Sequence, residues 1–322
     1  MTEADFLQLP DLVARSLGGA VVYANDEFFA SRENLISPGA PDFDPSEFGH
    51  KGKVYDGWET RRRREPGHDF AVVRLGVPGV VEGVVIDTAW FTGNYPPYAS
   101  VDGVNLDGYP TDQELLDAPW EPVLERVALK GDTANAFAVD DDRRWTHLRL
   151  NIFPDGGVAR FRVHGHARPD PAFLTGTIDL AALENGGDVV ACSNRFYSSP
   201  RNIIGLGRSR HMGEGWENAR RRDDGNDYVV IRLAGQGCVD HVEIDTSYFV
   251  GNAPGAARLS GIPSEDAMSD EASWVELVPR TALLPDCRHR FRVDSPTPVE
   301  FVRLDVYPDG GIARLRVNGR LT

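Results

Sequence analysis

The sequence predicts an all-β protein made of two tandem copies of one domain, each a sandwich or barrel of short strands. Three observations predict this. The chain repeats itself at long period, its apolar runs alternate with period two between Gly and Pro, and no long stretch holds a helical period.

The repeat is read most directly around tryptophan. Asp56-Gly57-Trp58-Glu59-Thr60-Arg61-Arg62-Arg63-Arg64 returns as Glu214-Gly215-Trp216-Glu217-Asn218-Ala219-Arg220-Arg221-Arg222, 158 positions on. The same offset carries Asp69 to Asp227, Arg74 to Arg232, Asp87-Thr88 to Asp245-Thr246 and Gly93-Asn94 to Gly251-Asn252. A third block, Phe153-Pro154-Asp155-Gly156-Gly157, recurs as Tyr307-Pro308-Asp309-Gly310-Gly311. Upstream, Asn25 is matched with Asn194 and Asn34-Leu35-Ile36 with Asn202-Ile203-Ile204. The join falls near 166–175, a Pro-containing linker, which divides the chain into copies 1–168 and 169–322.

Within a copy, 70–75 and 81–86 read as short β-branched strands separated by Gly and Pro. Leu148, Leu150 and Ile152 alternate with Arg149 and Asn151, and Ala159, Phe161 and Val163 alternate with Arg160 and Arg162. Around Pro-Asp-Gly-Gly these two runs predict a hairpin, because Pro presets φ and Gly tolerates a positive one. Residues 113–116 and 12–17 are at most short helices. Many short strands with turn signals indicate a sandwich or barrel, whose functional residues usually lie on loops at one end.

Composition excludes several functions. The chain has 322 residues, ample for two cores, with 41% hydrophobic and 26% charged residues, as in ordinary globular proteins. A net charge of −15 argues against nucleic acid or an acidic membrane as partner. No segment has the roughly 18 apolar residues of a membrane span, and no secretion signal opens the chain. Three cysteines, Cys192, Cys238 and Cys287, cannot all pair within one chain, which suits a reducing compartment; a cytoplasmic protein is expected.

The Trp-Glu-x-Arg runs are the strongest chemical signal. Clustered guanidinium groups suit an anionic ligand, and an acidic protein that handles an anion needs such a local patch. Arg62, Arg63, Arg64, Arg220, Arg221 and Arg222 are therefore candidate ligand contacts, with Trp58. Glu59 and Glu217 beside them can accept N–H bonds or move protons. The same pattern also suits an exposed turn whose Glu and Arg pair with each other around core tryptophans. Asp87 and Asp245 end apolar strands and can orient a water or hold the turn that follows. Asn94 and Asn252 offer both donor and acceptor, or cap a loop. His68 could shuttle protons near neutral pH, and its counterpart in the second copy is Asn226. His164 and His166 alternate on one face, but none of the eight histidines forms a tight metal-ligand pattern. No cofactor is expected; a divalent metal is compatible with the chemistry, yet no ligand motif supports one. Nucleophile elbow, phosphate loop and dinucleotide fingerprint are all missing.

These residues resemble the allantoicase family. The resemblance is carried by Phe28-Phe29-Ala30 through Asn34-Leu35-Ile36, the Asp-Gly-Trp-Glu-Thr-Arg run, Ile86-Asp87-Thr88 through Phe91-Thr92-Gly93-Asn94, and the Pro-Asp-Gly-Gly turn closing each half. It covers nearly the whole chain, duplication included. It implies two jelly-roll sandwiches of the galactose-binding-like kind, assembly into a homo-oligomer, and the hydrolysis of allantoate to ureidoglycolate and urea in purine (ureide) breakdown. Allantoate carries one carboxylate and two ureido groups on one carbon. The resemblance thus implies Arg62 to Arg64 on the carboxylate and Glu59, His68 or Asp87 handling protons and water. Glu214, Asn218 and Asn226 depart from the pattern, so chemistry is expected in the first copy, with the second as support. The competing readings are a hydrolase or lyase of a neighbouring ureide such as ureidoglycolate, and a carbohydrate-binding module.

Overall fold

The computed structural model describes residues 6–322. The chain separates into two compact units, with the boundary between Arg168 and Pro169. Both units are β-rich, and the one α-helix among the described residues is α1 (Asp112–Leu116), closed by a Thr111–Glu114 capping box. Residues 12–17 contain only a 3₁₀ turn at Arg15–Leu17, because Leu12 and Val13 are drawn fully into the core.

The first unit contains β1 (Ala20–Ala24), β2 (Phe48–Gly49), β3 (Gly52–Lys53), β4 (Trp58–Glu59), β5 (Asp69–Asp87), β6 (Tyr98–Val104), β7 (Glu121–Ala128), β8 (Ala134–Ala138), β9 (Arg144–Phe153), β10 (Gly157–Val158) and β11 (Arg160–Ala167). The two strands expected at 70–75 and 81–86 are one continuous strand of 19 residues, β5. Its first half pairs with β1 and β9, in a sheet of order β1-β5-β9-β6-β7. Its second half pairs with β11 and β8. The Gly76-Val77-Pro78-Gly79 segment, read from sequence as a break, is where β5 bends out of one layer into the other. The ladder with β9 skips register between Arg74 and Gly79 there. Close approach requires glycine at the bend: a Cβ on Gly76 would lie 2.6 Å from the Leu17 carbonyl oxygen.

The same bend corrects the expected hairpin. Strands β9 and β11 flank Pro-Asp-Gly-Gly but do not pair with each other; both pair with β5, β9 chiefly along its first half and β11 along its second, with overlap at Gly79 and Val80. The turn is therefore an arch from one layer to the other. Both ends of β5 reach it: Asp69 N donates to Pro154 O (3.1 Å), and Asp87 O accepts from Ala159 N (2.7 Å). The layers close over a core in which Trp58, Phe91, Phe161 and Leu148 are buried.

The second unit repeats the plan with β12 (Ile178–Asp179), β13 (Asp188–Cys192), β14 (Asp227–Asp245), β15 (Ala256–Ile262), β16 (Val275–Ala282), β17 (Arg288–Arg292), β18 (Val299–Tyr307) and β19 (Arg314–Leu321). Strand β14 again has 19 residues and pairs with β13 and β18 along its first half and with β19 and β17 along its second. Trp216, Phe249 and Leu315 occupy its core. Each unit is a jelly-roll sandwich. No helix among the described residues is long and apolar enough to cross a membrane.

Candidate active site

In the first unit the site grows from the packing of Trp58. The indole is fully buried and its Nε1 donates to Asp26 O at 2.7 Å, so Trp58 is a core anchor and not a ligand contact. Side chains alternate along a strand, so burying Trp58 turns Glu59 outward. Two neighbours then hold the Glu59 backbone: it pairs with Gly157 of β10 on one side, and its carbonyl accepts from Phe29 N (3.2 Å) and Ala30 N (3.3 Å) on the other. The arch supplies the second wall. Asn94 O accepts from Gly157 N at 2.8 Å, which delivers the Asn94 amide to the Glu59 carboxylate; Nδ2 donates to Oε1 at 2.7 Å. The pair lies in an open cleft of about 500 Å³ lined by Phe29, Glu59, Arg62, Asn94, Tyr95 and Asp155, among others.

Burial raises the Glu59 pKa above its ordinary value, and the Asn94 hydrogen bond only partly opposes this. The group therefore retains a proton to higher pH than a surface glutamate, as a general acid requires.

The four arginines of the run divide by partner. Arg61 pairs with Asp26 at 2.8 Å. Arg63 Nη1 pairs with the buried Asp69 at 2.6 Å, and its backbone N–H donates to Asp155 Oδ2 at 2.8 Å, which makes it a strut between the run and the arch. Arg64 is exposed and lies outside the cleft lining. Arg62 lines the cleft, is exposed, and makes no ion pair among the described residues, so its guanidinium is available to an anion.

The structure does not bring His68 or Asp87 to this cleft. His68 Nε2 lies 3.2 Å from Asn151 Oδ1, and its ring packs 4.6 Å from that of Phe153. Asp87 Oδ1 accepts from Ala89 N (2.8 Å), capping the turn after β5. In the second unit Asp245 is buried and holds Ser247 N and Oγ (2.8 and 2.6 Å). Trp216 is an anchor like Trp58, with Nε1 on Asn194 O (2.8 Å). Glu217 accepts from Asn252 Nδ2 at 2.6 Å, Arg221 clamps the buried Asp227 at 2.8 Å, and Arg220 and Arg222 are exposed.

One match within the repeat shifts by a residue. Asn25 Oδ1 accepts from Phe70 N (2.7 Å), and the hydroxyl doing that duty in the second unit is Ser193, which accepts from Tyr228 N (2.9 Å); Asn194 stands where Asp26 does. Phe29, Tyr95 and Asp155 complete the cleft and were not singled out from sequence. Asp155 and Phe29 lie inside the repeated and family-like blocks, whereas Tyr95 had no signal. Among the described residues no three His, Cys, Asp or Glu side chains form a metal-holding group. His164 bonds Leu9 O (2.8 Å) and His166 faces Glu82 (3.8 Å).

Fold and cleft define a class: a duplicated jelly-roll protein with an acid, an amide and an unpaired guanidinium in one open cleft. Known proteins narrow the class. The Allantoicase repeat matches twice, over residues 10–168 and 178–322. A probable allantoicase of Nocardia farcinica is 58% identical over 98% of this chain and 95% of its own. The allantoicase of Dictyostelium discoideum is 40% identical over 96% of this chain and 86% of its own. The crystal structure of Saccharomyces cerevisiae allantoicase superposes with a TM-score of 0.81 at 33% identity, covering 98% of this chain and 97% of that one. The chain belongs to the allantoicase family.

Proposed function

We infer that this chain hydrolyses allantoate to ureidoglycolate and urea, as an enzyme of ureide breakdown. Family membership names the substrate, and the observation that carries the site assignment is the Glu59–Asn94 pair beside Arg62 in one cleft. The Arg62 fork takes the substrate carboxylate through parallel N–H···O bonds. Asn94, with Nδ2 committed to Glu59, offers Oδ1 to a ureido N–H. Phe29 and Tyr95 wall the cleft and lower its polarity, which strengthens both contacts.

Protonated Glu59 donates its proton to the ureido nitrogen as the bond from that nitrogen to the central carbon breaks and urea departs. The resulting carboxylate then accepts a proton from water, whose hydroxide bonds the carbon to give ureidoglycolate. One water is consumed and Glu59 ends protonated. No step in this reading is assigned to His68, Asp87 or Asp245, whose side chains bond Asn151, Ala89 N and Ser247.

The test is urea release from allantoate by purified protein, with ureidoglycolate as the alternative substrate and a chelator in parallel. Turnover on allantoate is expected. It should be undiminished by the chelator, because every role above is carried by a protein group. Glu59→Gln keeps the size and hydrogen bonding of the side chain and should lower kcat by about 10²–10⁴-fold. Undiminished turnover in the folded variant would overturn the assignment. We also propose a cytoplasmic homo-oligomer; the free thiols of Cys192, Cys238 and Cys287 support the compartment, and the family resemblance supports the assembly.

A further inference from the structure

We propose that Lys51 is a positioning residue for the reaction: from the tip of a hairpin of the first unit it fixes the Phe28–Phe29 peptide, and through that peptide the acid Glu59. The proposal rests on the role given to Glu59 above.

The hairpin belongs to a segment that only the first unit has at full length. Between Ile36 and Trp58 there are 21 residues, against 11 between Ile204 and Trp216. Both ends of the longer segment meet the buried Arg160, whose guanidinium donates to Gly39 O (3.1 Å) and to the Asp56 carboxylate. A ladder of rings ties its middle to the core. Tyr55 stacks on the buried Phe91 with centres 4.8 Å apart, and Phe43 stacks on Tyr55 at 4.9 Å. So anchored, β2 and β3 pair with His50 and Lys51 at the turn between them. Lys51 Nζ then donates to Phe28 O at 2.5 Å and lies 4.6 Å from the centre of the Phe28 ring.

Phe28 O and Phe29 N belong to one planar peptide group, and Phe29 N donates to Glu59 O at 3.2 Å. That group is held at both ends, by an ammonium on its carbonyl and by Glu59 on its N–H. A cation on the carbonyl polarises the amide and strengthens the bond its N–H makes. The same peptide leads into Phe29, which lines the cleft and meets the Phe28 ring edge to face at 5.1 Å. One ammonium therefore bears on the backbone of the acid and on a wall of its cleft.

The second unit shows that the fold does without this contact, since it contains no lysine. Its Phe196–Tyr197 pair keeps the edge-to-face packing at 4.7 Å, but these residues are 71% and 64% exposed, against 44% each for Phe28 and Phe29. Glu217 N donates there to Ser198 Oγ at 2.7 Å. The first unit has Ala30 at that position, and Glu59 N reaches only its carbonyl oxygen, at 3.3 Å. A local hydroxyl holds the glutamate in one unit; the hairpin and its lysine hold it in the other.

Steady-state kinetics on allantoate tests this with Lys51→Met and Lys51→Arg, each made in the native chain and in the Glu59→Gln chain. Lys51→Met keeps the stem and removes the charge, and should lower kcat about 10-fold. KM and the thermal unfolding midpoint should hold, because Arg62 and the core are untouched. Lys51→Arg should restore most of kcat. In the Glu59→Gln chain neither change should cost anything further, because residues that act through one another are not additive. Equal losses in both chains, or a change confined to KM, would overturn the proposal. So would native kcat in Lys51→Met beside a slow Glu59→Gln, and the reading of the cleft would then stand without it. Undiminished kcat in Glu59→Gln would remove both.

Discussion

Arg62 and Arg63 are neighbours in sequence with different surroundings, and they predict different phenotypes. Arg62 has no structural partner, so Arg62→Ala should leave stability unchanged and raise KM about 10–100-fold, the loss of one charge-assisted contact of about 1.5–3 kcal/mol. Steady-state kinetics beside a denaturant titration checks both halves. Arg63→Ala removes the cation from Asp69, whose side chain is 3% exposed and keeps only the Asn25 amide, and should cost about 3–5 kcal/mol of stability. A third residue predicts a pH effect. His147 is buried, and desolvation, reinforced by the charge of Arg74, pushes its pKa down from 6.5 to about 4. The unfolded chain therefore binds a proton that the folded chain refuses. Stability is fully present above about pH 6.5 and falls as pH drops toward about 4, by up to about 3 kcal/mol from this group. Urea midpoints at pH 7 and pH 5 should converge in His147→Gln relative to the native protein. At this scale the sequence showed the residue types and not their partners. Glu59, Arg62 and Asn94 were legible because they recur in register. His68 recommended itself by chemistry alone and meets Asn151, a residue far off in sequence, whereas Asp87 recurs as Asp245 and its carboxylate caps the turn two residues on at Ala89.

Among the elements, the arch at 154–157 decides the site. Period-two alternation on either side identified β9 and β11 correctly as strands, but alternation does not say which strand a run pairs with. The missing information lay in β5, whose bend places its halves in different layers. Gly156 is central to the arch: φ is 143°, and a Cβ would lie 2.7 Å from the Pro96 nitrogen and 2.8 Å from the Asn94 carbonyl oxygen. Gly156→Ala should cost about 1–3 kcal/mol of stability and lower kcat by pushing the Asn94 loop away from Glu59. Gly310 has the same role in the second unit, with φ 133° and a Cβ position 2.4 Å from the Pro254 nitrogen. Gly310→Ala should cost comparable stability while kcat holds. Loss of kcat in both variants, measured at a temperature where both are folded, would place chemistry in both units.

On the scale of the whole chain, the duplication was legible because the constrained positions recur: buried tryptophans, clamping arginines, arch glycines. The length differences were harder to place. The first unit has a longer segment between Ile36 and Trp58, and it holds the β2–β3 pair with Lys51 and Lys53, two of the three lysines in the chain. Lys51 Nζ lies 4.6 Å from the centre of the Phe28 ring, next to the cleft residue Phe29. The segment has no counterpart in the second unit, so comparison of the copies could not define it.

The 19-residue strand at the centre of each unit also bears on how a unit opens. A sandwich whose layers share no strand can lose one layer while the other persists. Here β5 belongs to both, so detaching either layer tears the ladder of the other, and the unit should open as one cooperative block. Amide hydrogens at 70–74 and at 80–86 should then exchange with deuterium at a common, slowest rate, although they pair with different neighbouring strands.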